Sequence, residues 1–287
     1  MTEFVTGMKE AMNMQITLNN GLSMPQLGLG VWRVEEGQQV KDAVKTALQT
    51  GYRLIDTAAI YKNEAGVGEA IQESGVKRED IFLTTKVWNS DQGYDATLKA
   101  FEESLHKLGT DYLDLYLIHW PVPSQDLYVD TYKALEKLYA DGRVRSIGVS
   151  NFHVPHLERL MQECSVKPVV NQVECHPRLA QNELREFCQR HDIYLEAWSP
   201  LMQGGDILQN EKITAIAAAH GKTPAQVVIR WHLQHGHVVI PKSITPSRIR
   251  ENFDVFDFEL SSTELSSIDA LNEDKRVGPN PDEFAVL

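Results

Sequence analysis

RLID at residues 53–56, IFLTTK at 81–86 and YLDLYLIH at 112–119 decide the fold. Each is a short apolar, strand-like run that ends on a reactive side chain, Asp56, Lys86 or His119, and Tyr61 stands just beyond the first in TAAIY. Working outward, helical periodicity separates these runs. Val40, Ala43, Val44, Ala47 and Leu48 make one apolar face that Gly51 terminates before RLID. Leu98, Phe101, Leu105 and Leu108 precede YLDLYLI, and Tyr132, Leu135, Leu138 and Tyr139 precede VRSIGV. Leu184, Phe187 and Cys188 precede IYLEAW. Alternating helix and strand predicts a parallel sheet.

The extended runs are QLGLGV, RLID, IFLTTK, YLDLYLI, VRSIGV, VVNQVE, IYLEAW and HVVIP. Each is separated from the next by enough chain for a crossover helix and two loops. With 287 residues and no linker, they predict one closed (β/α)8 TIM barrel over residues 14–287 rather than an open doubly wound sheet. QITLNNGLSMP, around Asn20-Gly21, reads as an N-terminal β-hairpin able to plug the bottom of the barrel. Residues 1–13 read as a poorly ordered extension, and GPNPDEFAVL as a tail folded over the surface.

A net charge of −12 argues against nucleic acid and anionic membranes, both of which require an extended basic face. No apolar run approaches the roughly 20 residues of a membrane span. The N-terminus lacks the apolar region of a secretory signal. Cys164, Cys175 and Cys188 include no CxxC pair, so a reducing cytoplasm is expected. One local exception to the acidity is Lys242 to Arg250, where Lys242, Arg248 and Arg250 suggest a small anionic ligand or a solvated patch.

Several patterns read as ordinary structure. Gly66-Val67-Gly68 has Ile71 in place of the third glycine of a dinucleotide fingerprint and reads as a helix start. Gly221-Lys222-Thr223 lacks the first glycine of a P-loop, and Thr223-Pro224 reads as a helix N-cap. Cys175-His176 are adjacent, and adjacent residues seldom face each other. His232, His235 and His237 straddle a helix end and a strand start and read as solvated, with no cysteine or supporting acid nearby, so no metal is expected.

Asp56, Tyr61, Lys86 and His119 also have plain readings singly: a cap, a packed aromatic, a solvated amine and a polar strand terminus. Jointly they fall at one end of successive strands, where a β/α barrel builds its chemistry. Asp56 could keep a desolvated Lys86 charged, and Lys86 could lower the pKa of Tyr61 from about 10 toward neutrality. Tyr61 would then give a proton to a carbonyl oxygen that His119 orients. Such a reduction needs hydride, which a nicotinamide supplies. The later strand ends, with Ser150, Asn151, Gln172, Trp198 and Ser199, offer amides and an indole to cradle it.

The motifs GYRLIDTAAIYKNE, LTTKVW, LYLIHWP, IGVSNF, NQVECHP, AWSPL and IPKSITPSRIRENF, in this order from about residue 14 to the C-terminus, resemble the aldo-keto reductases. The resemblance implies an eight-stranded barrel binding NADPH without a Rossmann domain, and a monomer. It implies a catalytic tetrad of Asp56, Tyr61, Lys86 and His119, with Tyr61 as general acid. It places cofactor positions at Ser150, Asn151, Gln172, Trp198, Ser199, Leu201, Lys242, Ser243, Arg248 and Asn252. Lys242 and Arg248 would hold the 2′-phosphate and select NADP over NAD. Trp32, Trp88, His119 and Trp120 would rim the substrate pocket. The short loop after HWP and the brief tail are similar to bacterial members, including 2,5-diketo-D-gluconate reductase and glyoxal or methylglyoxal reductases. The expected activity is reduction of small aldehydes and ketones; the rival is an NADPH-binding, redox-sensing barrel with slow turnover.

Overall fold

The structure, a computed structural model, describes residues 15–287. The expectation for residues 1–13 lies outside them. Strands β1 (Gln15–Thr17) and β2 (Ser23–Pro25) pair antiparallel as the expected hairpin. Gly21, at φ 84, takes the left-handed turn position.

Eight parallel strands follow: β3 (Leu29–Gly30), β4 (Leu54–Asp56), β5 (Phe82–Val87), β6 (Leu115–Ile118), β7 (Ile147–Ser150), β8 (Val170–Glu174), β9 (Tyr194–Trp198) and β10 (Val238–Val239). Each pairs with its sequence neighbour. The sheet closes through a parallel bridge of Leu27 to Val239 and a bond from Gly28 N to Val239 O of 2.9 Å. Two glycines permit that seam. A Cβ on Gly30 would stand 2.9 Å from Ile240 O, and one on Gly28 would stand 2.4 Å from Leu54 Cγ.

The α-helices among the described residues are α1 (Gln38–Thr50), α2 (Glu64–Glu73), α3 (Tyr94–Leu108), α4 (Tyr128–Ala140), α5 (Val154–Glu163), α6 (Asn182–Arg190), α7 (Glu211–His220), α8 (Pro224–Gln234), α9 (Pro246–Phe253) and α10 (Ser262–Asp269). The predicted apolar faces are the buried ones in α1, α3, α4 and α6, with Leu98 and Tyr139 at their partly buried edges. Gly66-Val67-Gly68 lies within α2, and Thr223 caps α8 through a capping box with Gln226. β6 begins at Leu115, later than YLDLYLI implies. The buried Asp114 carboxylate before it accepts from Leu83 N at 3.0 Å and pairs with Arg78 and Arg145.

Side chains alternate across each strand, so one set fills the barrel and the other meets the helices. The interior floor is Leu54, Phe82, Leu115, Leu117, Val170 and Val238, sealed by Leu18 and Met24 of the hairpin. The hairpin therefore does plug the barrel. One step further along, the inward positions become Asp56, Lys86, His119, Gln172 and Glu196, all buried. Among the described residues no helix is long and apolar enough to cross a membrane.

Candidate active site

Lys86, on β5, is completely buried, a position a lysine tolerates only when its ammonium is paired and hydrogen-bonded. Its Nζ lies 2.6 Å from Asp56 Oδ1 and donates to Thr57 O at 2.9 Å. Burial works to lower its pKa, but Asp56 and the neighbouring Tyr61 outweigh it, and the net direction is upward. Lys86 is therefore charged. Gln172, on β8, donates from Nε2 to Asp56 Oδ2 at 2.8 Å and to Glu196 Oε2 at 3.0 Å. Its amide oxygen accepts no hydrogen bond among the described residues.

Tyr61 ends a single 3₁₀ turn, Ala59–Tyr61, behind β4. Asn63 fixes this turn: it accepts from Thr57 Oγ1 at 2.8 Å and donates to Val31 O at 2.9 Å and Val34 O at 3.0 Å. The Lys86 ammonium lies 5.2 Å from the centre of the phenol ring. Burial pushes the Tyr61 phenol up, and Lys86 pulls it down by less, so its pKa stands above the ordinary tyrosine value. This corrects the expectation of a phenol tuned toward neutrality: the ring keeps its proton at pH 7. The His119 ring meets Tyr61 edge-on with centroids 5.7 Å apart. Burial, reinforced by Lys86, holds its imidazole well below the usual range, so it is neutral. A protonated phenol, a neutral imidazole and an ion pair can together polarise a carbonyl and deliver one proton to it.

Trp88 packs edge-on against His119 at 5.2 Å and Trp120 stacks beside it at 6.4 Å. Trp32 is 39% exposed, with Arg33 over its ring at 4.2 Å, and makes no ring contact with them. The tail does fold over the surface, and despite its brevity it reaches this rim. Phe284 packs on Trp120 at 4.2 Å, and Asn89 Nδ2 donates to Val286 O at 2.7 Å. Behind it, the buried Glu174 carboxylate accepts from Val277 N at 2.6 Å and Gly278 N at 2.9 Å. Gly278 lies against Trp198; a Cβ there would stand 2.5 Å from its indole.

Of the expected cofactor positions, Trp198, Asn151, Ser150 and Gln172 are hydrogen-bonded into the same mouth. Trp198 Nε1 donates to Asn151 Oδ1 at 2.8 Å, and Asn151 Nδ2 donates to His119 O at 2.9 Å. Ser150 Oγ donates to Gln172 O at 2.8 Å. Asn151 at φ 62 and Ser199 at φ 52 both adopt the left-handed conformation, a local cost of about 1–3 kcal/mol each that clusters at functional loops. Leu201 is half-buried beyond Ser199. Ser243 and Asn252 are buried, whereas Lys242 and Arg248 are exposed and make no ion pair among the described residues. α9 begins beside them without a side-chain cap, leaving backbone N–H groups for an anion. An extended phosphate-bearing ligand fits this row: free guanidinium and ammonium groups, an open helix end, a partly exposed indole and a vacant amide oxygen.

Two features escaped the sequence reading. Glu196 sits under Asp56, and burial together with Asp56 pushes its carboxyl up to about 8, against the pull of Gln172 and Lys86. It is paired with Gln172 across the β8–β9 ladder and lies two residues before Trp198, so the inward alternation of β9 could have found it. The histidine reading also needs correction: His232 and His237 are not solvated but buried, and Cys175 is beside them. Helix α8 packs over the barrel and carries His232 to a cysteine distant in the chain.

A family model described as the aldo/keto reductase family matches residues 26–273. Glyoxal reductase of Bacillus subtilis is 62% identical over 94% of this chain and 96% of its own length. Methylglyoxal reductase DkgA of Escherichia coli is 52% identical over 94% of this chain and 97% of its own. A solved structure of a variant of Gox0644 in complex with NADPH is 50% identical, covering 94% of this chain and 98% of that one, with a TM-score of 0.90.

Proposed function

From the premise that this chain belongs to the aldo/keto reductase family, we propose that it is an NADPH-dependent reductase of small aldehydes and ketones, 2-oxoaldehydes such as methylglyoxal and glyoxal above all. The observation that carries the reading is the wholly buried Lys86, ion-paired to Asp56 at 2.6 Å and 5.2 Å from the ring of Tyr61. Names of relatives support the substrate class, and the NADPH in a similar structure supports the cofactor.

Bound along the strand ends, the nicotinamide would supply hydride to a carbonyl carbon. The rest falls to the chain. Tyr61 holds its proton until negative charge develops on the carbonyl oxygen and then donates it from Oη. Lys86 stabilises the phenolate left behind, and Asp56 keeps Lys86 charged in a dry site. His119, neutral, donates a hydrogen bond to the same oxygen and orients it. Trp88, Trp120 and Phe284 exclude water from the reacting face. Trp198 and Gln172 would hold the nicotinamide ring and carboxamide, with Ser150 and Asn151 behind them. Ser199 and Leu201 would line its path, Ser243 and Asn252 its far end, and Lys242 and Arg248 would take the 2′-phosphate.

NADPH oxidation followed with methylglyoxal and a panel of other carbonyls, beside quenching of tryptophan fluorescence by NADPH, tests the proposal. Turnover with quenching is expected; quenching without turnover across the panel would favour the redox-sensing barrel. Arg248→Ala is expected to weaken NADPH binding roughly tenfold while leaving NADH unaffected, a loss of one charge-assisted contact. Equal losses for both nucleotides would remove Arg248 from the phosphate.

A further inference from the structure

Cys175 follows β8, His232 lies near the end of α8, and His237 leads into β10. Their relative exposures are 0%, 0% and 4%. One ligand atom from each lies within 4.8 Å of the other two. We propose that Cys175, His232 and His237 form a binding site for a single soft, thiophilic, monovalent cation of the copper(I) class.

The donor set is incomplete as a hydrogen-bonded packing cluster. Nδ1 of His232 and Nδ1 of His237 are 3.1 Å apart and can share only one proton. His232 Nε2 is buried with no hydrogen-bond partner among the described residues. Cys175 Sγ has only a 4.0 Å contact, to Ala180 O. Donors around one soft ion, at about 2.0 Å for nitrogen and 2.3 Å for sulfur, would lie roughly 3.3–3.6 Å apart, so from separations within 4.8 Å a contraction of at most about an ångström completes the shell.

Charge selects the ion. Glu174, adjacent to Cys175 in the chain, is already engaged by His176 at 2.9 Å, and Asp269 by His235 at 2.9 Å. Arg185 lies 3.0 Å from His235 and adds positive potential. A divalent ion with one thiolate would leave a net positive charge in this buried setting; a monovalent ion leaves none. The entering ion must displace the proton of the Cys175 thiol. In that step the S–H bond breaks, an S–metal bond forms and one proton leaves to solvent, with no change of oxidation state. Thiolate with imidazoles suits soft ions, and hard cations are excluded. On one side, His237, His235 and Arg185 line a cavity of about 830 Å³ beside the hairpin.

The test is anaerobic titration of the reduced full-length chain with copper(I) against a chromophoric chelator, and separately with zinc(II). One equivalent of copper(I) is expected to bind, with thiolate-to-copper absorption in the near ultraviolet and a raised Tm. Binding should weaken at least about 100-fold in Cys175→Ser and in His237→Gln, and stay unchanged in Cys188→Ser and Cys164→Ser. No binding, undiminished binding in Cys175→Ser, or loss in Cys188→Ser would overturn the site; tighter binding of zinc(II) would overturn the charge argument. X-ray absorption of the loaded wild-type chain decides independently of whether the variants fold: one sulfur and two nitrogen neighbours support the proposal, and any other shell contradicts it.

Discussion

At the floor of the barrel, inward positions carry Leu54, Phe82, Leu117 and Val170 under Leu18 and Met24 of the hairpin. Two positions along the same strands they carry Asp56, His119 and Gln172, with Lys86 four beyond Phe82. Both regions are buried, yet what holds each differs. The floor is held by non-directional apolar burial, tolerant of shape within a methylene or so. The mouth is held by a directed chain, Lys86 to Asp56 to Gln172 to Glu196, in which each group is stable only because the next is there. Damage to the floor should therefore lower stability and spare chemistry, whereas damage to the mouth should lower both stability and catalysis.

The largest contrast is expected from Lys86→Met. It leaves Asp56 as an unpaired buried carboxylate, which costs roughly 3–5 kcal/mol. Carbonyl reduction should fall by a further 10²-fold or more through loss of phenolate stabilisation. Denaturant unfolding with steady-state kinetics reads both, and a variant of native stability and normal kcat would break the account of the mouth. Met24→Ala is the matched change at the floor. It should cost about 2–4 kcal/mol with kcat and KM nearly unchanged; a large loss of kcat would erase the distinction.

A smaller effect sharpens it. Glu196 has a folded-state pKa of about 8, above its ordinary carboxylate value. The folded state thus binds more protons than the unfolded one between about pH 4.5 and 8, so this group's contribution is complete below that window and is lost as pH rises through it. Glu196→Gln should flatten the decline in stability between pH 5 and 8 by about 1–3 kcal/mol. No change in slope would mean that Glu196 is ionised in the fold.

Much of this was legible in the chain because barrel geometry turns strand ends into neighbours. Once RLID, IFLTTK and YLDLYLIH are strands, Asp56, Lys86 and His119 must share one rim. The floor was legible for the same reason: Asn20-Gly21 dictates a hairpin, and Met24 gives it an apolar face to bury. What escaped lies in directions that strand order does not encode. The sign of the Tyr61 shift depends on how much water the packed mouth excludes, and burial outweighs Lys86. Glu174 reaching Val277 and Gly278, and Phe284 reaching Trp120, depend on the path of a tail with no periodicity. Cys175 meets His232 only because a helix crosses over the sheet.

The most direct measurement is single-turnover reduction of methylglyoxal by wild-type and Tyr61→Phe enzyme under saturating NADPH, with nucleotide affinity determined alongside. A slowing of roughly 10²–10⁴-fold at unchanged NADPH affinity is the result predicted for a general acid at the barrel mouth. Turnover within a few-fold of wild type would contradict it, and with it the role assigned to the Lys86–Asp56 pair behind the phenol.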